Sequence, residues 1–504
     1  MKLYPFDRRQ VIKIAAGALA ATALPRNLGG QSAVKKASFS FGHKPLCTVP
    51  LDFNGLSYES PQLANPAFFS SGNKELVDLY CELAPSGGVL RTGGNLSAFT
   101  GWRDDPSIPL TSAEQLVIDR GKKYWEWDLT DPSIRQGNHE AIFTPTSIES
   151  LAGFLDATGW KLLYGLNFGA GTQEQAASEA ACVQRLVGKN LLGFQLGNEI
   201  DFWSGGLRPS PWDFDTYYAQ WREWVRFIRA KVPDAPFAGP DVAIRLDWME
   251  QLAENEKRNV TVLTKHHYAM GPAGDARMNA ARLLGPDSDV AKEIVSAQRV
   301  KAFAGVGFRT AECGSCFRGG QPGVSNSFAS ALWGADYILT LAQGGHAGIN
   351  MHGGGEGFYS PITGDRSKGF TRQPLYYGMK LAQQFAGATM LEGSLAAGSA
   401  NVTAFAATKS NGLLLAVINK GGEPLDLEIK RSSLRNMQLR SEAKLCAPAI
   451  DSRSGIVFGS VAVEQPLQPG KDDIASLAPY SALVLQYSRT STQTRRHSFI
   501  RMGG

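Results

Sequence analysis

The sequence predicts an α/β fold, a (β/α)8 TIM barrel followed by a C-terminal β-sandwich. Three observations carry the prediction. Eight short apolar runs alternate with helical patterns over about 340 residues, the alternation that closes a parallel sheet inside a ring of helices. The chain has 504 residues, 43% hydrophobic and 19% charged, which suits one large domain plus a smaller one. After about Ala388 the helical period disappears, and short alternating runs separated by Gly-rich turns replace it.

Taken in order, residues 1–33 read as an export signal. "DRRQVIK" (Asp7 to Lys13) precedes "IAAGALAATALP", and the pair Arg8–Arg9 is similar to a twin-arginine signal. That apolar stretch is too short to span a bilayer, and no later run reaches about 18 apolar residues, so no membrane span is expected. A bacterial protein exported to the periplasm or beyond is expected. Residues 34–50 are expected to add a strand or two to the sandwich. The barrel then occupies 51–387, with strands at Leu51–Glu59, Val89–Gly94, Lys161–Gly169, Leu191–Glu199, Pro236–Val242, Val262–Met270, Phe308–Ser315 and Ala347–Gly353. Between them, Thr144 can cap a helix that opens with Pro145 and closes at Gly159, with Ile148, Leu151 and Leu155 on one stripe. Asp215–Val232 is a second amphipathic helix, buried through Trp221, Trp224, Phe227 and Ile228. The Asp-, Pro- and Trp-rich segment Arg103–Gln136 reads as an elaborated loop. Residues 388–488 form the sandwich, with turns at Ser410–Gly412 and Gly421–Gly422 and a closing strand in "SALVLQYS". The tail, 489–504, is expected to be disordered.

Charge and cysteine content exclude several partners. Of the formal +5, residues 1–33 and residues 489–504 contribute +4 each, leaving the body at −3. Nothing in that balance favours nucleic acid or a long polyanion. Six cysteines in a chain of this length do not make a disulfide scaffold. Cys313 and Cys316 form C-x-x-C, which invites a metal or redox reading, but a second close pair is missing and His266–His267 are adjacent rather than spaced as ligands. No metal and no cofactor are expected.

The chemistry lies where strands end. In a barrel of this kind the carboxyl ends of the strands open onto the functional site. Asn198 and Glu199 end the fourth strand, Glu312 ends the seventh, and His266, His267 and Tyr268 end the sixth. Two glutamates at opposed strand ends in one concave mouth are what glycoside hydrolysis requires. One protonates the departing oxygen and the other attacks or assists at the anomeric carbon.

A glutamate after asparagine on strand four with a glutamate on strand seven resembles the clan A glycoside hydrolases. More narrowly, the chain resembles glycoside hydrolase family 79, the group of heparanase and bacterial β-glucuronidases. The likeness rests on "GWKLLYGLNFG", "LLGFQLGNE", "AECGSCFRGG", "SNSFASALWGADYILTLAQGGHAGINMHG" and "PLYYGMKLAQQFAG". It implies a retaining mechanism with Glu312 as nucleophile and Glu199 as acid and then base, the ionised nucleophile favouring a proton on its neighbour. It further implies that Asn198 donates to the sugar 2-hydroxyl, that Tyr268 orients Glu312, and that Glu59 and Asn95 hold sugar hydroxyls. For Glu59 a buried ion pair with Arg91 is the alternative. His266 and His267 are expected to line the end of strand six rather than take part in chemistry.

The sequence departs from the family pattern beside the nucleophile. Glucuronide-cleaving members place a tyrosine and then glycines there to hold the sugar carboxylate; here these places hold Phe317 and Arg318. Phe317 has no hydroxyl to donate, whereas Arg318 can bind a carboxylate through two charge-assisted bonds. Tyr359, after strand eight, aligns with the second carboxylate-binding tyrosine. The expected activity is therefore that of a retaining exo-β-glycosidase of the β-glucuronidase kind acting on a carbohydrate substrate. The alternatives are a β-glycosidase for a neutral or modified sugar, such as a β-glucosidase, and a non-catalytic carbohydrate-binding barrel.

Overall fold

Apolar runs that carry no alternation need cover on both faces, and a parallel sheet wrapped in helices provides it. In the computed structural model all eight runs become strands: Gly55–Glu59, Val89–Gly93, Lys161–Leu166, Leu191–Leu196, Phe237–Val242, Val260–Met270, Gly307–Cys316 and Gly348–Gly353. The structure describes residues 34–489 apart from 110, 113, 118, 121–140, 355–356, 411, 435 and 466–470. The export-signal reading, most of the 489–504 tail and part of the Arg103–Gln136 loop fall outside the described residues. The eight strands are parallel, pair in chain order, and close as strand eight meets strand one.

Helix ends follow their local signals. Pro145–Thr158 starts at Thr144, which forms a capping box with Ser147, and stops at Gly159 in the left-handed region (φ 70°). Phe214–Lys231 starts at Asp213, whose carboxylate accepts from Thr216 N at 3.0 Å. It buries Trp221, Trp224 and Ile228, with Phe227 half-buried. Among the described residues no helix is long and apolar enough to cross a membrane.

Two irregularities in the barrel ladders decide which side chains reach its mouth. Along strand seven, Thr310 pairs with Lys265 and Glu312 with His266, so Ala311 is an extra residue opposite strand six. Ala311 packs with Val89, Leu163, Ala238 and Val262 from four other strands, and Glu312 beside it also turns toward the mouth. On strand five the extra residue is Asp241, between Pro240 and Val242, with φ at 64°. Bulges of this sort re-aim a side chain that strict alternation would point away.

Beyond two short ladders, Gly101–Trp102 with Ile142–Phe143 and Ile362–Asp365 with Gly369–Arg372, the remaining strands are linked by hydrogen bonds into one nine-stranded curled sheet, the second, all-β region that the sequence predicts. The cause is the strand Lys35–Thr48. It pairs antiparallel with Thr389–Ala396 along its length and parallel with Leu425–Ile429 at its start, with register shifts after Phe41 and Pro45. This bulged strand links the ladders on its two sides. The sheet holds its own apolar core, including Phe39, Leu415, Leu427 and Leu485. The helix Phe328–Gln343 ties barrel to sheet, where Asp336 takes Thr403 Oγ1 at 2.6 Å and Lys420 Nζ at 2.6 Å.

Candidate active site

Strand four stops at Leu196, and the polar pair that follows sits in a tight turn. Gly197 has φ 90°, and a Cβ there would meet Ile200 Cγ2 at 2.5 Å. Glu199 is itself left-handed (φ 48°), held by a bond from its N–H to Asp241 O at 2.8 Å. Strain of this kind in a non-glycine residue costs roughly 1–3 kcal/mol and persists where the surroundings over-determine it. It aims the Glu199 carboxylate into a cavity of about 590 Å³ that Glu312 enters from the opposite wall. A carboxylate oxygen of Glu199, one of Glu312 and a ring nitrogen of His266 lie within 4.8 Å of one another.

Glu312 is held from several sides. Tyr268 OH donates to Oε1 at 2.7 Å, and Arg91 Nη1 donates to Oε2 at 2.7 Å. Burial alone would raise the carboxyl pKa. The fields of His352, His266 and Arg91, with the tyrosine bond, reverse that and hold it well below the usual carboxylate range. Arg91 is fully buried and places one bond on each of its five N–H groups. These go to Gln195 Oε1 (3.0 Å), Ser57 Oγ (3.0 Å), Glu312 Oε2 (2.7 Å), Asn198 Oδ1 (2.7 Å) and Asp241 Oδ2 (2.6 Å).

His266 bridges the two walls. Its Nδ1 lies 3.2 Å from Glu199 Oε1 and its Nε2 lies 3.1 Å from Asp241 Oδ2. Burial opposes a charge on the ring, but Asp241 and Glu312 outweigh it and lift the pKa to about 10, so His266 is an imidazolium that donates to Glu199. His267 points the other way, 3.0 Å from both Glu293 and Asp287, and the same balance lifts it to about 9. Glu199, His266 and Glu312 are near enough for one metal ion, yet Glu312 already accepts from the Arg91 guanidinium and the charged His266 ring has no lone pair to offer. The arrangement suits proton transfer better than cation binding.

The other expected residues gather around this centre. Glu59 accepts from Leu96 N at 3.0 Å, and strand two can approach because Gly94 has no Cβ; one would lie 2.2 Å from the Glu59 carboxyl carbon. Arg91 pairs with Glu312 and Asp241 among the described ion pairs, leaving Glu59 on the cavity wall with Asn95. Asn198 is buried behind Asn95: its Oδ1 accepts from Arg91, and one Nδ2 hydrogen goes to Asn95 Oδ1 at 2.9 Å. Phe317, Arg318 and Tyr359 line one wall, with Tyr359 6.3 Å from the Tyr268 ring and 5.5 Å from His352. Cys313 and Cys316 are buried free thiols. Desolvation raises Cys313 well above the ordinary thiol value and Cys316 to about 11, an environment that disfavours thiolate chemistry.

Sequence reasoning misses Asp241 and His352 and understates His266, which bonds to the acid rather than merely lining its strand end. Asp241 follows a proline in "AGPDV" with no acid-pair context, and only the bulge makes it inward-facing. His352 ends strand eight, with Nδ1 3.0 Å from Ser57 Oγ and 3.8 Å from Glu312 Oε2. A histidine at a strand's carboxyl end is the signal that could have found it.

Comparison with known proteins agrees with this geometry. Residues 136–338 match the profile "Glycosyl hydrolase family 79, N-terminal domain", a span that contains both Glu199 and Glu312. A β-glucuronidase of Aspergillus niger is 24% identical over 473 residues, covering 86% of this chain and 81% of that protein. A β-glucuronidase of Neurospora crassa is 28% identical over 321 residues, covering 56% of each. Over residues 136–338 the chain is similar to glycosyl hydrolase family 79. The chain spans about half the length of the Neurospora relative it matches. Two solved structures share its fold. A 4-O-α-L-rhamnosyl-β-D-glucuronidase from Fusarium oxysporum has TM-score 0.65 at 16% identity, covering 90% of this chain and 100% of that one. A GH51 arabinofuranosidase from Xanthomonas axonopodis has TM-score 0.64 at 17% identity with the same coverage.

The two raised imidazoles give stability a defined pH dependence. Their contribution is fully present below the unfolded-state histidine value of about 6.5 and is lost as pH rises toward the folded values. Between pH 7 and 9 the stabilisation from each falls as pH rises, His267 levelling off first because its folded value is the lower. Urea unfolding followed across that window should show a steadily falling midpoint, with a shallower slope in His266→Gln. A flat wild-type profile would contradict an imidazolium at either position.

Proposed function

We propose that this protein is a retaining exo-β-glucuronidase that removes a terminal β-linked uronic acid through a glycosyl-enzyme ester. The observation that carries the mechanism is the approach of the Glu199 and Glu312 carboxylate oxygens to within 4.8 Å. Retaining glycosidases hold their carboxyl groups about 5–5.5 Å apart, whereas inverting ones need about 6.5–9.5 Å to admit a water. Glu312 attacks the anomeric carbon as the bond to the leaving oxygen breaks and Glu199 gives that oxygen its proton. An ester between Glu312 and the sugar remains, and the aglycone leaves as an alcohol or phenol. Glu199, now a carboxylate, removes a proton from water as the water oxygen attacks the same carbon. Glu312 departs as a carboxylate and Glu199 is protonated again. His266, donating to Glu199, and Tyr268 and Arg91, donating to Glu312, fix the angle between the two acids.

Arg318 supports the choice of sugar. It lines the cavity, has a left-handed backbone (φ 64°), and its guanidinium has no ion-pair or hydrogen-bond partner among the described residues. The lysines on the cavity wall, Lys265 and Lys292, are paired with Glu293 and Asp289. An unpartnered guanidinium beside Tyr359 and the nucleophile's strand fits a sugar carboxylate, and replaces the donor that Phe317 lacks. Export supports an extracellular substrate and rests on the Arg8–Arg9 segment.

Purified protein should hydrolyse 4-nitrophenyl β-glucuronide with retention, read by NMR of the first-formed anomer, and Glu312→Gln should lose about a thousandfold or more in kcat. Inversion, or no turnover across a panel of β-glycosides, would overturn the reading. Arg318→Ala should lower kcat/KM for the glucuronide about 10–100-fold, the range of a charge-assisted bond, with little change on the matching glucoside. Equal losses on both substrates would favour a neutral sugar. In a bacterial host, replacing Arg8 and Arg9 by Lys should leave the protein in the cytoplasm on fractionation. Unchanged export would remove the twin-arginine reading.

A further inference from the structure

The cavity has two halves of different chemistry. Around the barrel, the ends of strands one, two, seven and eight contribute Glu59, Asn95, Arg318 and His352, a polar wall suited to a sugar. The loops after strands four and five contribute Phe202, Ala243, Ile244 and Leu246 on the far side of Glu199. Phe202 and Ile244 are 57% and 63% exposed, unusual for large apolar side chains at a cavity mouth.

That apolar pair stands on a rigid base. Asp201, between Glu199 and Phe202, accepts three backbone N–H bonds from the strand-five loop: Ala243 at 2.8 Å, Ile244 at 2.9 Å and Arg245 at 3.0 Å. Ile200 beneath is fully buried. The carboxylate therefore clamps the two loops together and holds Phe202 and Ile244 at the mouth before any ligand arrives. The ionic groups nearby are committed to one another. Asp289 pairs with Lys292 at 2.7 Å, Arg245 with Asp247 at 2.6 Å, and Glu293 with Lys265 and His267.

We propose that the Phe202–Ile244 surface is the aglycone subsite, and that its occupant is a planar aromatic leaving group, a phenol, rather than a further sugar of a glycan chain. The inference rests on the proposed glucuronidase reading, because the general acid fixes which side of Glu199 the aglycone takes. A sugar in that place would need several donors and acceptors for its hydroxyls, and the charged groups there are already paired. A flat aromatic ring needs apolar faces, which Phe202 and Ile244 present.

The test uses the full chain and the double variant Phe202→Ala/Ile244→Ala, with Val461→Ala on the exposed sheet edge as the control for trimming an exposed apolar residue. Each protein is assayed on 2-naphthyl β-glucuronide and on a glucuronyl-glucose disaccharide, and the variant to wild-type ratio is compared between substrates so that leaving-group reactivity cancels. The double variant should lose at least tenfold in kcat/KM on the naphthyl substrate, mostly through KM, and at least fivefold less on the disaccharide, with Ki for free glucuronate unmoved. Equal losses, or none on the naphthyl substrate, would overturn the proposal. A binding arm separates this outcome from failure of the glucuronidase reading: 2-naphthol is titrated by fluorescence against Glu312→Gln with and without the double substitution. Saturable binding weakened about tenfold by the double substitution supports the subsite even if no glucuronide is turned over. Absent binding, or binding that the double substitution does not change, overturns it.

Discussion

One guanidinium organises the mouth of this barrel. Arg91 leaves strand two and reaches strand one through Ser57, strand four through Gln195, the turn after it through Asn198, strand five through Asp241 and strand seven through Glu312. A buried charge is tolerated only when its donors are all met and its charge is balanced. Arg91 achieves this with five partners from four strands, so the barrel cannot shift one of those strands without leaving a donor unmet. Arg91 and His266 provide two positive charges against Glu312 and Asp241, and this inner cluster closes on zero before Glu199 is counted. The low-dielectric interior that makes such a cluster costly when incomplete also makes it rigid when complete.

That dependence explains what the sequence could and could not reveal. The strands were legible because eight apolar runs needed cover on both faces and ended at turn residues. Glu199 and Glu312 were legible as acids at the ends of runs four and seven, and Tyr268 as the hydroxyl that would reach Glu312. The partners of Arg91 were not legible. Ion pairs inside a barrel join residues from different strands, and no spacing along the chain encodes which strand end an arginine will face. Asp241 was hidden for a second reason: it is the extra residue of a bulge, and period-two reasoning assigns a bulged position to the wrong face. The bulge at Ala311 does the same for strand seven, where Glu312 stands out in the sequence only as the end of an apolar run. The continuous sheet has a similar origin, because Lys35–Thr48 serves two ladders only through register shifts that its sequence does not announce.

Some of the backbone strain falls at the cavity. Three of the seven non-glycine residues with positive φ among the described residues lie at the cavity: Glu199 and Arg318 line it, and Asp241 anchors Arg91 and His266 behind it. At Arg318 the tension is plain. The left-handed region favours glycine, and an arginine there gives up backbone comfort for a side chain that glycine does not have. Phe317 beside it packs its ring against Gly271, where a Cβ would lie 2.1 Å from the ring, so its place is set by shape and not by a hydroxyl. These two neighbours together exchange a neutral donor for a cationic one a residue later.

The two halves of the cavity then follow from the placement of Glu199. On the proposed reading Glu199 is the general acid, which sits at the boundary between the sugar and the group it leaves, and its left-handed turn aims the carboxylate there. The same turn carries Asp201 and Phe202, so the residues that bind the strand-five loop and face the leaving group are positioned by the backbone that positions the acid. An alteration that relaxed φ at Glu199 would move the apolar rim with it. The proposed proton delivery and leaving-group contact are thereby carried by neighbouring residues of one turn. The sugar side is built on other strands and coupled to the acid through Arg91, Asn198 and Asn95.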